Sequence, residues 1–506
     1  MTPEYSTRTR RLSTLSLPDG NNLCRIWVYR NIAFRQEFVI DPRTKKRGNK
    51  FLRCGAQTPS VHLRGQRDNR DYAILYPRRR LLGASPHSVR IYSHAFFLLT
   101  LFLLCTVALA APQPAPVNPH FYDYDASAPF SVTQTPDAEV KASVGGDVEV
   151  TRVTYPSPVV TPYPQNNTVT AFLFQPKTVG RHPVMLVEHE WLPVALTNEF
   201  VLCATLARSG VAALLVVQPY SYNRRILPRV PDVELLSGNT HQTVAAVRQA
   251  VLDNRRALDW LQSRSDIDPS RMGVVGISLG GILAPLIAGV DHRAKVLVTI
   301  VGGADVSDLV FDSFITYGLR PSLLYHGVTF DSIKRDYAPI EPTNWLSGFD
   351  PKNALLFNGR FDVFVNPKQA RHLADALGGA PIVWTNTGHY GTVFAEKQIE
   401  TIGTQFVRSR FGLDAAPFTP PKTLPAPTIK LGLLFGGQEG VSPLIAYQAI
   451  TAGPGARYSV DGQITLHGLA IAPSLRIDES NSLGLELPLF HGKPRPRLFY
   501  SFSFTL

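Results

Sequence analysis

Six short apolar runs recur between residues 184 and 385: Val184–Val187, Val211–Val217, Met272–Val275, Val296–Val301, Ala354–Phe357 and Ile382–Thr385. Stretches with helical spacing stand among them, at Glu199–Arg208, Thr243–Ser263 and Gly281–Gly289. In the longest, Val244, Val247, Val251, Leu258 and Leu261 fall near one face. Continuous short runs, rather than alternating ones, are the mark of strands buried on both sides. Their interleaving with helices predicts an α/β fold, a mostly parallel central sheet with helices on both faces. Val148–Thr154 and Val169–Phe174 are its expected opening strands.

Gly276-Ile277-Ser278-Leu279-Gly280 follows the run Met272–Val275 and opens a helix-like stretch. G-x-S-x-G alone is a weak signal. At a strand-to-helix turn it has mechanical meaning, because it presents the Ser278 hydroxyl at the edge of the sheet. Side chains at 276 and 280 would collide in so sharp a turn. Serine is a poor nucleophile at its own pKa and needs a base within hydrogen-bond reach. The expected partners follow in chain order as an acid and then a histidine. Asp362 comes just after Ala354–Phe357, and His389 just after Ile382–Thr385, so both fall beyond strand ends. Asp305 is the rival acid, and a structural loop histidine is the alternative for His389. His389 would take and return the hydroxyl proton, and Asp362 would hold the imidazole tautomer. The Leu279 amide, at the start of a helix, is one expected oxyanion donor; the other should come from the loop after Val184–Val187.

Three stretches carry a family resemblance. They are VMLVEHEWLP (184–193), LDWLQSRSDIDPSRMGVVGISLGG (258–281), and the pair NGRFDVFV (358–365) and TNTGHYG (385–391). The chain resembles α/β-hydrolases of the dienelactone hydrolase-like group. The resemblance implies an α/β-hydrolase fold, the amide of Trp191 as second oxyanion donor, and Glu190 close to the nucleophile. It also marks a departure: the founding lactone hydrolases carry cysteine where this chain has Ser278, which favours a serine esterase. Trp191 would line the acyl pocket or simply pack. Tyr220, Tyr222, Arg224 and Arg225 either meet an anionic or sugar substrate or are scattered surface residues.

The net charge of +12 invites a nucleic-acid partner, but its distribution argues against one. Residues 1–94 hold 19 Lys and Arg against 6 Asp and Glu, and the other 412 hold 32 against 33. No basic face is expected on the main body. Four cysteines exclude a disulfide scaffold, and no Cys-X-X-Cys pair suggests a zinc site. No metal and no cofactor are expected.

Ala95–Ala111 is free of charge and proline and ends in the A-x-A form Ala108-Leu109-Ala110. It reads as a secretory signal, with an uncut signal anchor as the alternative. The expected organisation is a basic extension at 1–88, disordered or a gene-model artefact with translation starting near Val89. A signal peptide or anchor at 89–111 and a lead-in at 112–147 follow. The hydrolase domain takes 148–411, a Pro-rich linker 412–428, and a β-strand region 429–506.

In the last region Leu498, Tyr500, Phe502, Phe504 and Leu506 share one strand face, with Ser501, Ser503 and Thr505 on the other. Its length suggests four strands, too few for a closed barrel. Outer-membrane association through these strands is one reading, and a small sandwich-like appendage is the other. The expected function is an exported serine hydrolase that cleaves a small-molecule or polymeric carboxylic ester through an acyl-enzyme. The alternatives are a serine peptidase and a non-catalytic surface protein that keeps the fold for binding.

Overall fold

The computed structural model describes residues 117–506, apart from 194, 230–231, 314–315, 417, 437–439, 454–456, 467, 479 and 490–495. It also describes two short antiparallel strands, β1 (Cys24–Arg25) and β2 (Val39–Ile40). The rest of the basic extension and the signal-like segment lie outside the described residues.

Ten strands form one sheet: β3 (Thr133–Pro136), β4 (Glu149–Pro156), β5 (Thr168–Gln175), β6 (His182–Glu188), β7 (Ala212–Val216), β8 (Ile267–Ile277), β9 (Ala294–Ile300), β10 (Ala354–Gly359), β11 (Ile382–Thr385) and β12 (Thr423–Leu424). Their order is β12-β11-β10-β9-β8-β6-β7-β5-β4-β3. From β6 to β12 neighbouring strands are parallel, and β3, β4 and β5 complete the sheet antiparallel. Thr423–Leu424 lies in the Pro-rich stretch yet pairs with Trp384–Thr385.

The helices are α1 (Ala138–Ser143), α2 (Thr197–Arg208), α3 (Thr240–Ser263), α4 (Leu279–Val290), α5 (Val306–Asp312), α6 (Arg320–Tyr325), α7 (Phe330–Tyr337), α8 (Pro367–Ala376) and α9 (Glu396–Arg410). Asn239 starts α3 by accepting the N–H groups of His241 and Gln242.

Two apolar cores explain the continuous runs. Val184 and Leu186 of β6 pack in one core, and Met185 and Val187 in the other. In β7, Ala212 and Leu214 face the first core, Ala213 and Leu215 the second. Successive side chains of a strand point to opposite faces, so a sheet with helices on both sides needs every position apolar.

The C-terminal region is a closed antiparallel barrel of six strands: β13 (Ile429–Gly436), β14 (Val441–Ala452), β15 (Tyr458–Thr465), β16 (Gly468–Arg476), β17 (Asn481–Pro488) and β18 (Arg497–Thr505). The expectation of four strands without closure is corrected. β13 pairs β18 from Lys430–Thr505 to Gly436–Phe499, which closes the ring. The barrel touches the loops that follow β10 and β11. Gly388 donates its N–H to the carbonyl of Leu506, and the Thr428 hydroxyl donates to the carbonyl of Asn386. The Arg476 guanidinium lies 3.9 Å from the centre of the Phe361 ring.

Candidate active site

Ser278 joins β8 to α4 with φ 55 and ψ −112, a positive φ that non-glycine residues rarely adopt. Its N–H donates to the Ile300 carbonyl at 2.8 Å, which pins the turn to β9. The flanking glycines are required by close approach. A Cβ on Gly276 would lie 1.9 Å from the Gly280 carbonyl oxygen, and one on Gly280 would lie 2.2 Å from that of Glu188.

β6, β8, β10 and β11 run parallel, so their carboxyl ends meet at one edge of the sheet. Glu188–Trp191, Ser278, Asp362 and His389 all sit at or just beyond these ends. The structure brings three of the expected residues into one hydrogen-bonded chain. Ser278 Oγ lies 2.8 Å from His389 Nε2, and His389 Nδ1 lies 2.8 Å from Asp362 Oδ2. The Asp362 side chain is fully buried and that of His389 is 5% exposed. The other Asp362 oxygen accepts the N–H groups of Phe364 at 2.8 Å and Val365 at 3.0 Å, so the carboxylate cannot swing away. Backbone bonds from Arg360 to Thr385 and from Phe361 to Thr387 lace the two loops together. The rival Asp305 is elsewhere: it accepts from His372 Nδ1 at 2.9 Å.

The loop after β6 is held on both sides of Trp191. Glu190 N–H donates to Glu199 at 3.2 Å, and Leu192 N–H to Asp232 at 2.6 Å. Among the described residues neither the backbone N–H of Trp191 nor that of Leu279 has a protein acceptor, while the Trp191 indole N–H donates to the Asp232 carbonyl at 3.5 Å. First-turn amides of a helix such as α4 lack intrahelical acceptors. His189 is buried, which lowers its pKa to about 4. Its Nε2 accepts the Gln218 N–H at 3.0 Å, so Nδ1 carries the proton donated to the Glu190 carbonyl at 2.7 Å.

Two cavities flank Ser278 and His389. A small one of about 30 Å³ is lined by Trp191, Leu236, Leu279, Leu309 and Phe364. A wider cleft of about 330 Å³ carries Glu190, Glu396 and Glu400 among apolar residues such as Leu202, Val393 and Ile399. Burial raises the carboxyl pKa of Glu190 and of Glu396, and takes that of Glu400 to about 7 with help from the nearby charge of Glu396. Among the described residues no group of His, Cys, Asp or Glu is placed to hold a metal.

This sheet order, with a strained serine turn between β8 and α4, defines the α/β-hydrolase fold. Residues 169–308 match the Dienelactone hydrolase family, and residues 248–390 the Prolyl oligopeptidase family. These matches support a dienelactone hydrolase-like member of the α/β-hydrolase superfamily. "Putative hydrolase YtaP" of Bacillus subtilis (strain 168) is 39% identical over 80 residues, 15% of this chain and 27% of that protein. "Uncharacterized protein Rv2627c" of Mycobacterium tuberculosis (strain ATCC 25618 / H37Rv) is 31% identical over 151 residues, 29% of this chain and 35% of that one. The chain thus spans about a third or less of the length of these curated relatives. Among solved structures, an acetyl xylan esterase from Paenibacillus sp. R4 has a TM-score of 0.45 and 18% identity, covering 58% of this chain and 95% of that one.

Two residues near the site had no signal in sequence. Asp232 and Glu199 fasten the loop after β6 from afar, and burial takes each carboxyl to about 7. Arg224 is neither substrate-facing nor on the surface: it is buried and pairs with Asp253 at 2.8 Å. Tyr220 is buried as well.

Proposed function

We propose that the hydrolase region cleaves carboxylic esters through a covalent acyl-enzyme. The observation that carries this reading is the unbroken chain from Ser278 Oγ through His389 to Asp362, each link 2.8 Å. Ser278 Oγ attacks the ester carbonyl carbon while His389 Nε2 takes its proton. The tetrahedral oxyanion is stabilised by the Leu279 and Trp191 amides. His389 returns the proton to the departing alcohol, leaving an acyl ester on Ser278. Water then attacks that ester with His389 again as base, and the acid departs. Asp362 fixes Nδ1–H and offsets the charge of the imidazolium. The small cavity beside Trp191 suits a short acyl group. The wider cleft takes the alcohol, where the carboxylates of Glu190, Glu396 and Glu400 disfavour an anionic one.

The test is labelling by a fluorophosphonate probe together with hydrolysis of p-nitrophenyl esters of graded acyl length. Labelling is expected in the native chain and lost in Ser278→Ala, with acetate turned over faster than octanoate. A native chain that neither labels nor hydrolyses would leave a fold used for binding. A second reading, cleavage of amides, is favoured by the match of residues 248–390 to the Prolyl oligopeptidase family. Turnover of aminoacyl p-nitroanilides above that of the esters would select it.

A further inference from the structure

The C-terminal barrel is built with its polarity reversed. Its strands alternate, as the sequence indicates, but the buried side is largely polar, around a small apolar cluster of Leu434, Leu444, Ala446, Ala472 and Phe499. Lys430, Gln448, Asp461, Gln463, Glu486 and Ser501 are each less than 9% exposed. Their apolar neighbours point outward on every strand: Leu433 on β13, Ile445 on β14, Ile464 on β15, Ile471 on β16, Leu485 on β17 and Phe502 on β18 are each more than 40% exposed. These outward residues pair across strands, Leu433 with Phe502 and Ile445 with Ile464, so they form a band rather than isolated spots. Monomeric proteins in water rarely carry a continuous apolar surface on that scale.

We propose that residues 429–506 are a lipid-embedded anchor, with the outer face of the barrel in contact with the hydrocarbon of a phospholipid bilayer. Three further features select lipid over a protein partner. The apolar band runs round the whole circumference, whereas a partner protein would cover one sector. The ring is closed by β13 and β18, so among the described residues no strand of the barrel is an edge strand, the condition for crossing hydrocarbon. The strands are eight to twelve residues long, and a tilted transmembrane strand needs about 9–11.

Spanning barrels usually begin at about eight strands. A ring of six leaves a narrow interior, and small inward residues meet that constraint. Ser442, Ser474, Ser482, Ser503, Ala446 and Ala472 are all buried. The Lys430–Asp461 ion pair, at 2.8 Å, neutralises charge inside. The anchor is therefore a sealed pin and not a pore. Thr428 and Leu506 both bond to the loop that carries His389, so the hydrolase region hangs from that rim of the barrel.

The experiment is flotation of the full chain with vesicles of pure phosphatidylcholine, whose zero net charge removes electrostatic adsorption. The protein is expected in the floating fraction, and to stay there after washes in 1 M salt and in carbonate at pH 11. Ile471→Glu and Leu485→Glu together should move at least tenfold more protein to the soluble fraction. Ser474→Ala, an inward change, should leave flotation as it is. Far-UV circular dichroism and the melting transition of the hydrolase region check that each variant folds. Native chain that stays at the bottom of the gradient overturns the anchor. So does a discrete dimer in lipid-free buffer that fails to float, because the apolar band would then belong to a second copy.

Discussion

The ten-stranded sheet and the six-stranded barrel use strands in opposite ways. In the sheet both faces are buried, and neighbours such as Leu186 and Val187 serve two different cores. In the barrel one face is buried, and it is the one that carries Ser501, Ser503 and Thr505, while Leu498, Tyr500 and Phe502 are exposed. Period-two alternation states that a strand has two different sides. It does not state which side meets solvent. That is decided by what the strand curls around, and in this small closed ring Lys430 and Asp461 pair inside at 2.8 Å.

The largest effect should come from the charge that the sheet buries. Asp362→Asn keeps the shape but removes the acceptor that selects the Nδ1–H tautomer of His389. Under the proposed chemistry kcat for p-nitrophenyl acetate should fall roughly 10⁴-fold. Flotation should not change, because Asp362 is fully buried at the sheet edge. A fall below tenfold in stopped-flow assays would remove Asp362 from the mechanism and break the division of labour between the regions.

The charge buried in the barrel should answer in stability instead. Lys430→Met strands Asp461, whose side chain is 3% exposed, without its cation. Breaking a buried pair from one side costs about 3–5 kcal/mol. The double change with Asp461→Leu should recover most of that loss, because both charges are gone. Urea unfolding in detergent micelles, followed separately for the barrel and the hydrolase region, reads the difference. Ester hydrolysis should be spared in the double variant. Equal losses in single and double variants would mean that the pair does not hold the interior together.

These contrasts also explain what was legible in the sequence. The runs ending at Val187, Val275, Phe357 and Thr385 could be read because strands buried on two faces are locally apolar. Asp362 and His389, the partners of Ser278 in the hydrogen-bonded chain, follow within a few positions and were legible as strand-end residues. The Arg224–Asp253 pair was not, since its members lie on different elements and neither neighbourhood signals the other. Asp232 was invisible for the same reason: its bond to Leu192 spans forty residues of chain. The barrel's strand count was missed because β14 and β15 carry Pro443, Gly462 and Asp461 inside them, residues that normally end strands. Closure depends on β13 meeting β18, a pairing across the whole region with no local trace.

Where the regions meet, a smaller effect tests whether they are coupled. A Cβ on Gly388 would stand 1.8 Å from the Thr505 carbonyl oxygen. Gly388→Ala must therefore push the His389 loop away from the end of the barrel. Displacing a reacting group by about 1 Å can cost up to roughly 10²-fold in rate. Lower kcat with KM and flotation unchanged is the expected pattern. Unchanged kcat would show that the barrel end does not help to place His389.

The smallest effect concerns pH and should appear in the hydrolase region. Burial holds the Asp232 carboxyl up to about 7, whereas an unfolded aspartate titrates at about 3.9. The folded state thus binds this proton more tightly. Its contribution to stability is complete below about pH 4 and is lost as pH rises through about 7. Glu199 and Glu400, also raised to about 7, act in the same direction. The hydrolase region should therefore melt lower at pH 7 than at pH 5. Asp232→Asn keeps an oxygen to accept the Leu192 N–H but has no proton to lose. It should narrow that gap by about 4–8 °C, the equivalent of roughly 2 kcal/mol in a domain of this size. Scanning calorimetry at the two pH values reads it. A gap of the same width in the variant would assign the pH dependence to the carboxylates of the cleft, where Glu400→Gln is the next substitution to measure.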